Sequence, residues 1–425
     1  MLKQKDIRNK ILFVLLCMAI LRFGAQLPIP MIDTTSLKAW FANSQFGGLS
    51  LINAFTGGAL ENFSVLALSV TPYITASILL QLLGVVFPKL GAMQKEEGDI
   101  GKTKFERITK YVTVGVAIIS AVGLILTFST RGLIELNAYN AIVAVLAMVA
   151  GSMFLIWLGD EITEKGVGNG VSIILMLSIL SRIPGDFIKL YYQFIDPNPV
   201  WLKIVAGAVI LLVTILTIVM VIILEDAKRI IPIANSKQKN GHILPRNANN
   251  SRFSLKVNIA GVIPVIFAST LLSFPMIVAG FFGKSDGWIG VFNQGNWFNP
   301  QNWLFTFGYL LYAVLVIAFA FFYVSITFNP VEIANNIRNQ GSCIPGIRPG
   351  RPTAEYIAKI IKRLVPIGAV WLLLIATVPI VFNGLFGASV SFGGTSIIIV
   401  VGVIIETFIQ IDNMMTVRNY NGFLN

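Results

Sequence analysis

The chain of 425 residues contains ten apolar runs, each long enough to cross a lipid bilayer as a helix. A hydrocarbon layer about 30 Å thick needs roughly 20 helical residues. Composition agrees, because 55% of the residues are hydrophobic and only 12% are charged. The runs predict spans at 11–27, 65–87, 111–129, 140–158, 171–190, 200–224, 257–282, 303–328, 364–382 and 395–411. The predicted fold is therefore an all-α polytopic membrane protein.

Lysine and arginine are unevenly distributed among the predicted loops. Of the 32 such residues, 25 lie in the two termini and in the loops that follow even-numbered spans. Basic loops stay in the cytoplasm, whereas Asp and Glu scarcely influence orientation. Both termini are therefore predicted to be cytoplasmic in a bacterial inner membrane. The net charge of +12 also allows a docking surface for nucleic acid or anionic lipid, although loop retention explains part of it.

The motifs of enzymes are incomplete in this chain. Gly101-Lys102-Thr103 imitates the end of a phosphate-binding loop, but Glu96 stands where the first glycine is required. The only histidine, His242, falls in a predicted loop, so the spans contain neither a zinc-binding HExxH helix nor a Ser-His pair. We therefore expect no enzyme activity, no metal and no cofactor.

Coupled transporters need ionisable side chains at membrane depth, where they are costly and functional. The spans are expected to be almost free of them: Arg22 can snorkel from span one, and Glu406 and Asp412 fall near the inner end of span ten. A secondary transporter and an intramembrane enzyme remain alternatives. The first would need a carboxylate or ion site at the midplane, and the second would need acid-base residues there.

An apolar stretch at 47–63, between spans one and two, is too short to cross the bilayer and is bounded by glycine pairs. It is either an interfacial amphipathic turn or a re-entrant helix over about 49–56 that Gly57 and Gly58 end. Irregular backbone at membrane depth is tolerated only where protein or a water-filled cavity satisfies it. A re-entrant helix would therefore imply a cavity.

Spans two and seven both contain proline and hydroxyl residues. Ile74 and Ile78 share a helix face in span two, and Pro72 would break or kink whatever precedes it. Span seven has Pro264 and Pro275 together with hydroxyl side chains. If the two helices face each other, they form a seam held by modest forces, because lipid drives no hydrophobic association between helices. Ordinary helix packing explains the same residues equally well.

The predicted loop at 329–363 contains three prolines and three glycines around Arg348 and Arg351, all within 341–352. This density of glycine and proline predicts an extended, protruding turn and excludes a helix. Arg348 is then held out towards a partner, unless the loop is simply solvated.

Six motifs occur along the chain: Phe55-Thr-Gly-Gly-Ala59, Pro72-Tyr-Ile-Thr-Ala-Ser77, Gly166-Val-Gly-Asn-Gly170, Ala260-Gly-Val-Ile-Pro-Val-Ile-Phe267, Pro345-Gly-Ile-Arg-Pro-Gly350 and Gly393-Gly-Thr-Ser396. Together they make the chain resemble the SecY/Sec61 alpha family, which forms the channel of the Sec protein translocase. The resemblance implies ten helices in two inverted pseudo-symmetric halves, 1–195 and 196–425, hinged at about 191–199 around a central hourglass pore. It also implies a passive channel that translocates unfolded polypeptides across the bacterial cytoplasmic membrane and inserts membrane helices laterally, driven by SecA or the ribosome.

The same resemblance assigns site residues. The pore ring would comprise Ile74, Ile78, Val171, Leu175, Ile266 and Ile399. The plug, at about 49–60, would include Leu49, Leu51, Ile52, Ala54, Phe55, Gly57 and Gly58. The lateral gate would place Ser77 and Gln81 of span two opposite Ser269, Thr270 and Phe274 of span seven. SecA or the ribosome would dock on the cytoplasmic loops 225–256 and 329–363, at Arg348, Arg351, Lys237, Lys239 and Arg246. A ring of aliphatic side chains can fit around an extended chain, and when closed it dewets and blocks ions.

The implied partners follow from the family. They are the SecE and SecG subunits, the SecA ATPase, the ribosome with its RNA and proteins, signal sequences and precursor proteins, and anionic lipids. Ribosomal RNA offers dense phosphate to basic loops.

Overall fold

A computed structural model gives the structure of residues 5–30, 36–38, 53, 55–87, 90–91, 93, 99–130, 132, 137–195, 200–235, 252–281, 287–294, 297–298, 303–386 and 394–421. The long helices, numbered in chain order, are α1 (Lys5–Gln26), α2 (Thr71–Val86), α3 (Asp99–Thr130), α4 (Ala138–Lys165), α5 (Gly170–Leu190), α6 (Val200–Asp226), α7 (Ile263–Phe281), α8 (Thr306–Thr327), α9 (Pro330–Asn339), α10 (Arg351–Phe386) and α11 (Gly394–Asn421). A π-helical turn, Tyr191–Ile195, continues α5 into the predicted hinge, and 3-10 turns occur at Gly287–Phe292 and Trp303–Phe305.

Each of the ten predicted spans overlaps one of these helices. In the described part of the chain, six helices are long and apolar enough to cross a bilayer: Thr103–Ser129, Ala138–Lys165, Gly170–Ile195, Lys203–Asp226, Trp303–Thr327 and Arg351–Phe382. Two further apolar helices, Thr71–Val86 and Ile263–Ser273, are shorter. The chain is therefore a mostly helical protein with several membrane-spanning helices, as the sequence predicts.

Two helices begin later than the apolar runs that predicted them. α2 begins at Thr71 although the run begins at 65, and α7 begins at Ile263 although the run begins at 257. Each helix has a proline, Pro72 or Pro264, at its second residue. Proline fits the first turn, where its missing N–H is not needed, but the residue before it is disfavoured in helical conformation. The prolines therefore set where these helices start.

α10 begins earlier than the apolar run that predicted it. Its apolar run begins at 364, but the helix begins at Arg351. The expectation of a non-helical turn over 341–352 therefore holds only up to Gly350, whose φ of 103° is left-handed. Arg351 and Pro352 already belong to the first helical turn, which accepts proline. The helix therefore begins well before the apolar run that predicted it.

Two small antiparallel sheets lie outside the helices, one within the loop between α6 and α7 and one that connects this loop to the loop between α9 and α10. β1 (Lys228–Pro232) pairs with β3 (Arg252–Lys256), and β2 (Ala234–Asn235) pairs with β4 (Ser342–Cys343). A hydrophobic cluster lies beneath the sheets and includes the buried residues Ile231, Leu255, Ile344, Ile357 and Ile361. The loop between α6 and α7 and the loop between α9 and α10 therefore form one packed unit.

Three larger hydrophobic clusters hold the helices together. The first joins residues of α1, α4, α5 and α11, and the second joins α3 and α4 to the segment before α2. The third joins α6, α7, α8, α10 and α11. Neighbouring residues of α11 belong to different clusters, since Ile398 is buried in the third and Ile399 in the first. α11 therefore lies between the two groups of helices, and the candidate site lies on its Ile399 face.

Candidate functional site

Five of the six predicted ring residues meet in one hydrophobic cluster. They come from four helices: Ile74 from α2, Val171 and Leu175 from α5, Ile266 from α7 and Ile399 from α11. Leu175 and Ile399 are buried, and the other three are half-buried and pack against the cluster. Ile78, one helical turn beyond Ile74, is half-buried and does not belong to the described cluster. All five of these residues have aliphatic side chains.

The segment before α2 contributes to this cluster, which we call the ring cluster. Phe55 packs against the ring cluster, and Ala59 is fully buried within it. Gly57 and Gly58 have φ values of 68° and 86°, the left-handed conformation that glycine adopts at a helix end. A Cβ on Gly57 would lie 2.9 Å from the carbonyl oxygen of Ser178, so only glycine allows this close approach to α5. The predicted plug residues Leu49, Leu51, Ile52 and Ala54 lie outside the described residues.

The same segment makes polar contacts with α1 and α5. Arg22 of α1 donates a hydrogen bond from Nη1 to the carbonyl oxygen of Gly57 at 3.5 Å. Arg182 of α5 lies 3.5 Å from Oε2 of Glu61 and forms an ion pair with it. We call residues 53–61 the plug segment, since they lie within or next to the stretch assigned to the plug.

The expectation that the spans are almost free of ionisable side chains is wrong for span five. Arg182 and the buried Asp186 both lie inside the predicted span 171–190. Arg182 is accommodated because Glu61 balances its charge, and a charge in an apolar region is tolerated where it is paired. Lys189 lies in the same span, so three ionisable side chains are visible in its sequence.

Predicted gate residues on both α2 and α7 make side-chain hydrogen bonds. Gln81 donates from Nε2 to the hydroxyl of Ser77 at 3.2 Å on α2. On α7, Ser269 is buried, and its hydroxyl accepts a hydrogen bond from Gln294 at 3.4 Å. Thr270 is half-buried, whereas the side chain of Phe274 lies outside the described part. Both α2 and α7 pack against α3.

The glycine-rich motif between α4 and α5 is a close-packed helix entry. Asn169 caps α5 by accepting a hydrogen bond from the backbone N–H of Ser172 at 3.3 Å. A Cβ on Gly166 would lie 2.8 Å from the Val14 side chain of α1, and a Cβ on Gly168 would lie 3.1 Å from the Thr407 hydroxyl of α11. The motif therefore fits α5 between α1 and α11, beside the ring cluster.

Replacing Gly170 with alanine should destabilise the protein. The added Cβ would overlap the carbonyl oxygen of Gly159. Overpacking of this kind costs about 1–3 kcal/mol, so we expect a lower Tm for Gly170→Ala in thermal unfolding of the purified protein. Gly185→Ala on the same helix is the control, because nothing lies within 4 Å of the Cβ position there. Equal Tm values for the two variants would contradict the packing role.

The predicted docking residues that the structure describes are exposed. Arg348 projects from the turn before α10, and its backbone carbonyl accepts a hydrogen bond from the Thr353 hydroxyl at 2.9 Å. Arg351 is exposed in the first turn of α10, and its Nε donates to Glu355 at 3.1 Å. The turn is therefore fixed through its backbone, which leaves the Arg348 guanidinium for a partner. Lys237, Lys239 and Arg246 lie outside the described residues.

The chain is similar in sequence to known protein translocase subunits. The SecY family model matches residues 64–408. The protein translocase subunit SecY of Bacillus licheniformis is 38% identical over 433 residues, which cover 100% of this chain and 98% of that protein. The SecY subunit of Streptomyces coelicolor is 40% identical over 439 residues, covering 99% and 98%. Both similarities extend over almost the whole length.

The fold is similar to that of solved channels. A protein-conducting channel has a TM-score of 0.67 at 16% identity, covering 96% of this chain and 92% of that one. A SecY protein whose plug domain stabilises the closed state and maintains a membrane seal has a TM-score of 0.66 at 17% identity, with the same coverage. Sec61 in the canine ribosome-channel complex from the endoplasmic reticulum has a TM-score of 0.64 at 15% identity, again with that coverage. These likenesses establish the fold.

Proposed function

The chain belongs to the SecY family, and from that premise we propose that it is the channel through which unfolded polypeptides cross the bacterial cytoplasmic membrane and membrane helices enter it. It is not an enzyme, because the family forms a channel. The observation that carries the proposal is the aliphatic cluster at the meeting point of α2, α5, α7 and α11.

The ring closes the resting channel by its apolar character. Aliphatic side chains give water no hydrogen-bond partner, so a closed ring dewets and blocks small ions. The same side chains can move apart and surround an extended polypeptide, because they make only dispersion contacts with it. We place Ile78 next to the ring on α2, where it joins the lining when the helices separate. Phe55 and the rest of the plug segment fill the space on one side of the ring.

The membrane arrangement follows from the helices and the charge pattern. We propose that ten of the eleven helices, all except α9, cross the membrane, in two halves comprising 1–195 and 196–425, around an hourglass pore. Both termini and the loops 225–256 and 329–363 are then cytoplasmic, because lysine and arginine are concentrated there. The seam between α2 and α7 is the lateral gate, lined by Ser77, Gln81, Ser269, Thr270 and Phe274.

The driving force comes from partners that dock on the basic loops. The β2–β4 sheet joins both loops into one base, from which Arg348 projects. Arginine binds carboxylate or phosphate bidentately, which suits both an ATPase and ribosomal RNA. We propose SecA and the ribosome as these partners and SecE and SecG as accompanying subunits. Arg351, Lys237, Lys239 and Arg246 enlarge the basic surface, which also favours anionic lipid.

Reconstitution tests this function. The chain is incorporated with SecE, SecG and SecA into liposomes, and a precursor bearing a signal sequence is added with ATP. We expect part of the precursor to become resistant to external protease, and we expect this protection to disappear when the chain is omitted. An absence of protection in liposomes that contain correctly oriented complex would contradict the proposal.

A further inference from the structure

The plug segment is held by a polar cluster that the ring does not explain. Glu61 stands at its centre, because its Oε2 accepts a hydrogen bond from Nδ2 of Asn53 at 3.4 Å and pairs with Nη1 of Arg182 at 3.5 Å. The backbone N–H of Glu61 donates in return to Oδ1 of Asn53 at 3.3 Å. Arg182 also donates to the backbone carbonyl of Asn53 at 3.5 Å. The two ends of the segment are thereby tied to each other and to α5.

The environment of the pair makes it stronger than an ordinary surface ion pair. The Arg182 side chain is 11% exposed and the Glu61 side chain 30%. Exposed ion pairs contribute little, because water and salt screen them, whereas screening falls with burial. Gly58 lies beside the guanidinium, since a Cβ there would be in ordinary van der Waals contact with Nη1 of Arg182, at 3.7 Å. Losing either partner would leave the other charge partly desolvated and unbalanced.

The polar contacts of the plug segment with the helices come from two arginines. They join it to Arg22 of α1 and Arg182 of α5, and the Ser69 hydroxyl before α2 also donates to the carbonyl oxygen of Phe55 at 3.5 Å, whereas the side chain of Phe55 makes apolar contacts with the ring cluster. Apolar contacts weaken gradually as side chains move apart, whereas the Glu61–Arg182 ion pair must break before the segment can leave α5. The buried Asp186 lies one turn further along α5, and it is the acidic neighbour of Arg182 on that helix.

We propose that Glu61 and Arg182 form a latch that holds the plug segment in the closed channel and thereby sets how strongly hydrophobic a signal sequence must be to open it. This inference rests on the proposed channel function. The free energy that a signal sequence gains by binding must exceed the cost of breaking the latch. A weaker latch therefore admits weaker signals, while strong signals already open the channel.

The test compares two precursors on the same complexes. One precursor has an intact signal sequence, and the other has a signal shortened in its apolar core. Glu61→Gln and Arg182→Gln each remove one charge at similar size. We expect each variant to raise the ratio of weak-signal to intact-signal export roughly ten-fold, since hydrogen bonds to charged groups contribute that much or more. Loss of folding lowers both exports together, so it does not raise the ratio.

A double-mutant cycle and a control complete the test. In the variant that carries both substitutions, we expect the ratio to equal that of the stronger single variant, because the same interaction is lost in all three. The control is the exposed pair of Lys110 and Asp160, which joins α3 to α4 at 2.6 Å, and Lys110→Gln should leave the ratio unchanged. An unchanged ratio in both single variants, or additive effects in the double variant, would overturn the latch. Failure of the unaltered complex to export the intact precursor would instead overturn the channel function.

Discussion

Ion flux through the resting complex should rise when Ile266 and Ile399 are both replaced by serine. The two residues come from α7 and α11 and pack in the same cluster. Serine hydroxyls would let water wet the constriction, which removes the apolar barrier to ions. Each ~1.4 kcal/mol removed from that barrier raises the flux about ten-fold. Single-channel recording in planar bilayers, without SecA or precursor, measures the effect.

Two controls separate a leaking ring from a damaged fold. Ile266→Val with Ile399→Val keeps the apolar lining and should leave the resting flux low. Ile404→Ser introduces the same polar group on α11 at a residue that is 38% exposed, away from the ring cluster. We expect no added flux there. A serine pair at the ring that conducts no more than Ile404→Ser would remove these residues from the constriction.

Reversing the charge of Arg348 should abolish SecA-driven export and leave the protein folded. The turn before α10 is fixed through the Arg348 carbonyl and the Thr353 hydroxyl, so the substitution Arg348→Glu leaves that contact in place. Removing one partner of a hydrogen-bonded charge pair at an interface costs about 2–5 kcal/mol, which corresponds to roughly a 30-fold loss or more. Protease protection of a precursor in proteoliposomes measures export, and the Tm of the purified complex measures folding.

Arg348→Lys distinguishes recognition by shape from recognition by charge. Lysine keeps the positive charge but cannot form the planar bidentate pair, so we expect export between that of the unaltered protein and that of Arg348→Glu. Normal export by Arg348→Glu would refute the docking role. A large fall in Tm for that variant would show instead that the guanidinium supports the turn.

Local sequence patterns predicted the helices well because the bilayer imposes a fixed apolar length. Helix ends were less predictable. The apolar run of span nine begins at 364, but α10 already begins at Arg351, because a helix can form without a continuous apolar run. At α2 and α7 the prolines at 72 and 264 moved the start inward. The two-residue strands β2 and β4 lie 107 residues apart or more, and no local pattern indicates their pairing.

The sequence indicates the residues of the ring, but it does not indicate the pairing of Glu61 with Arg182 in the latch. Residues Ile74, Ile266 and Ile399 were assigned through family motifs, and the structure brings them into one cluster, although their assignment to the pore remains a prediction. The motifs do not indicate a role for Arg182, whose partner Glu61 is 121 residues away in the chain. A charge in an apolar span is a local signal, but its physical meaning depends on a partner that only the fold brings close.

Photo-crosslinking of an arrested precursor tests most directly whether a polypeptide passes through this chain. A photoreactive residue is placed at Ile399 in one complex and at the exposed Ile404 of the same helix in another. The precursor carries a folded domain that stops it midway, and SecA with ATP drives it in. We expect crosslinks from position 399 that require both ATP and an intact signal sequence, and none from position 404. Precursor that reaches the protected state without crosslinking at 399, or that crosslinks equally at 404, would contradict passage through the ring.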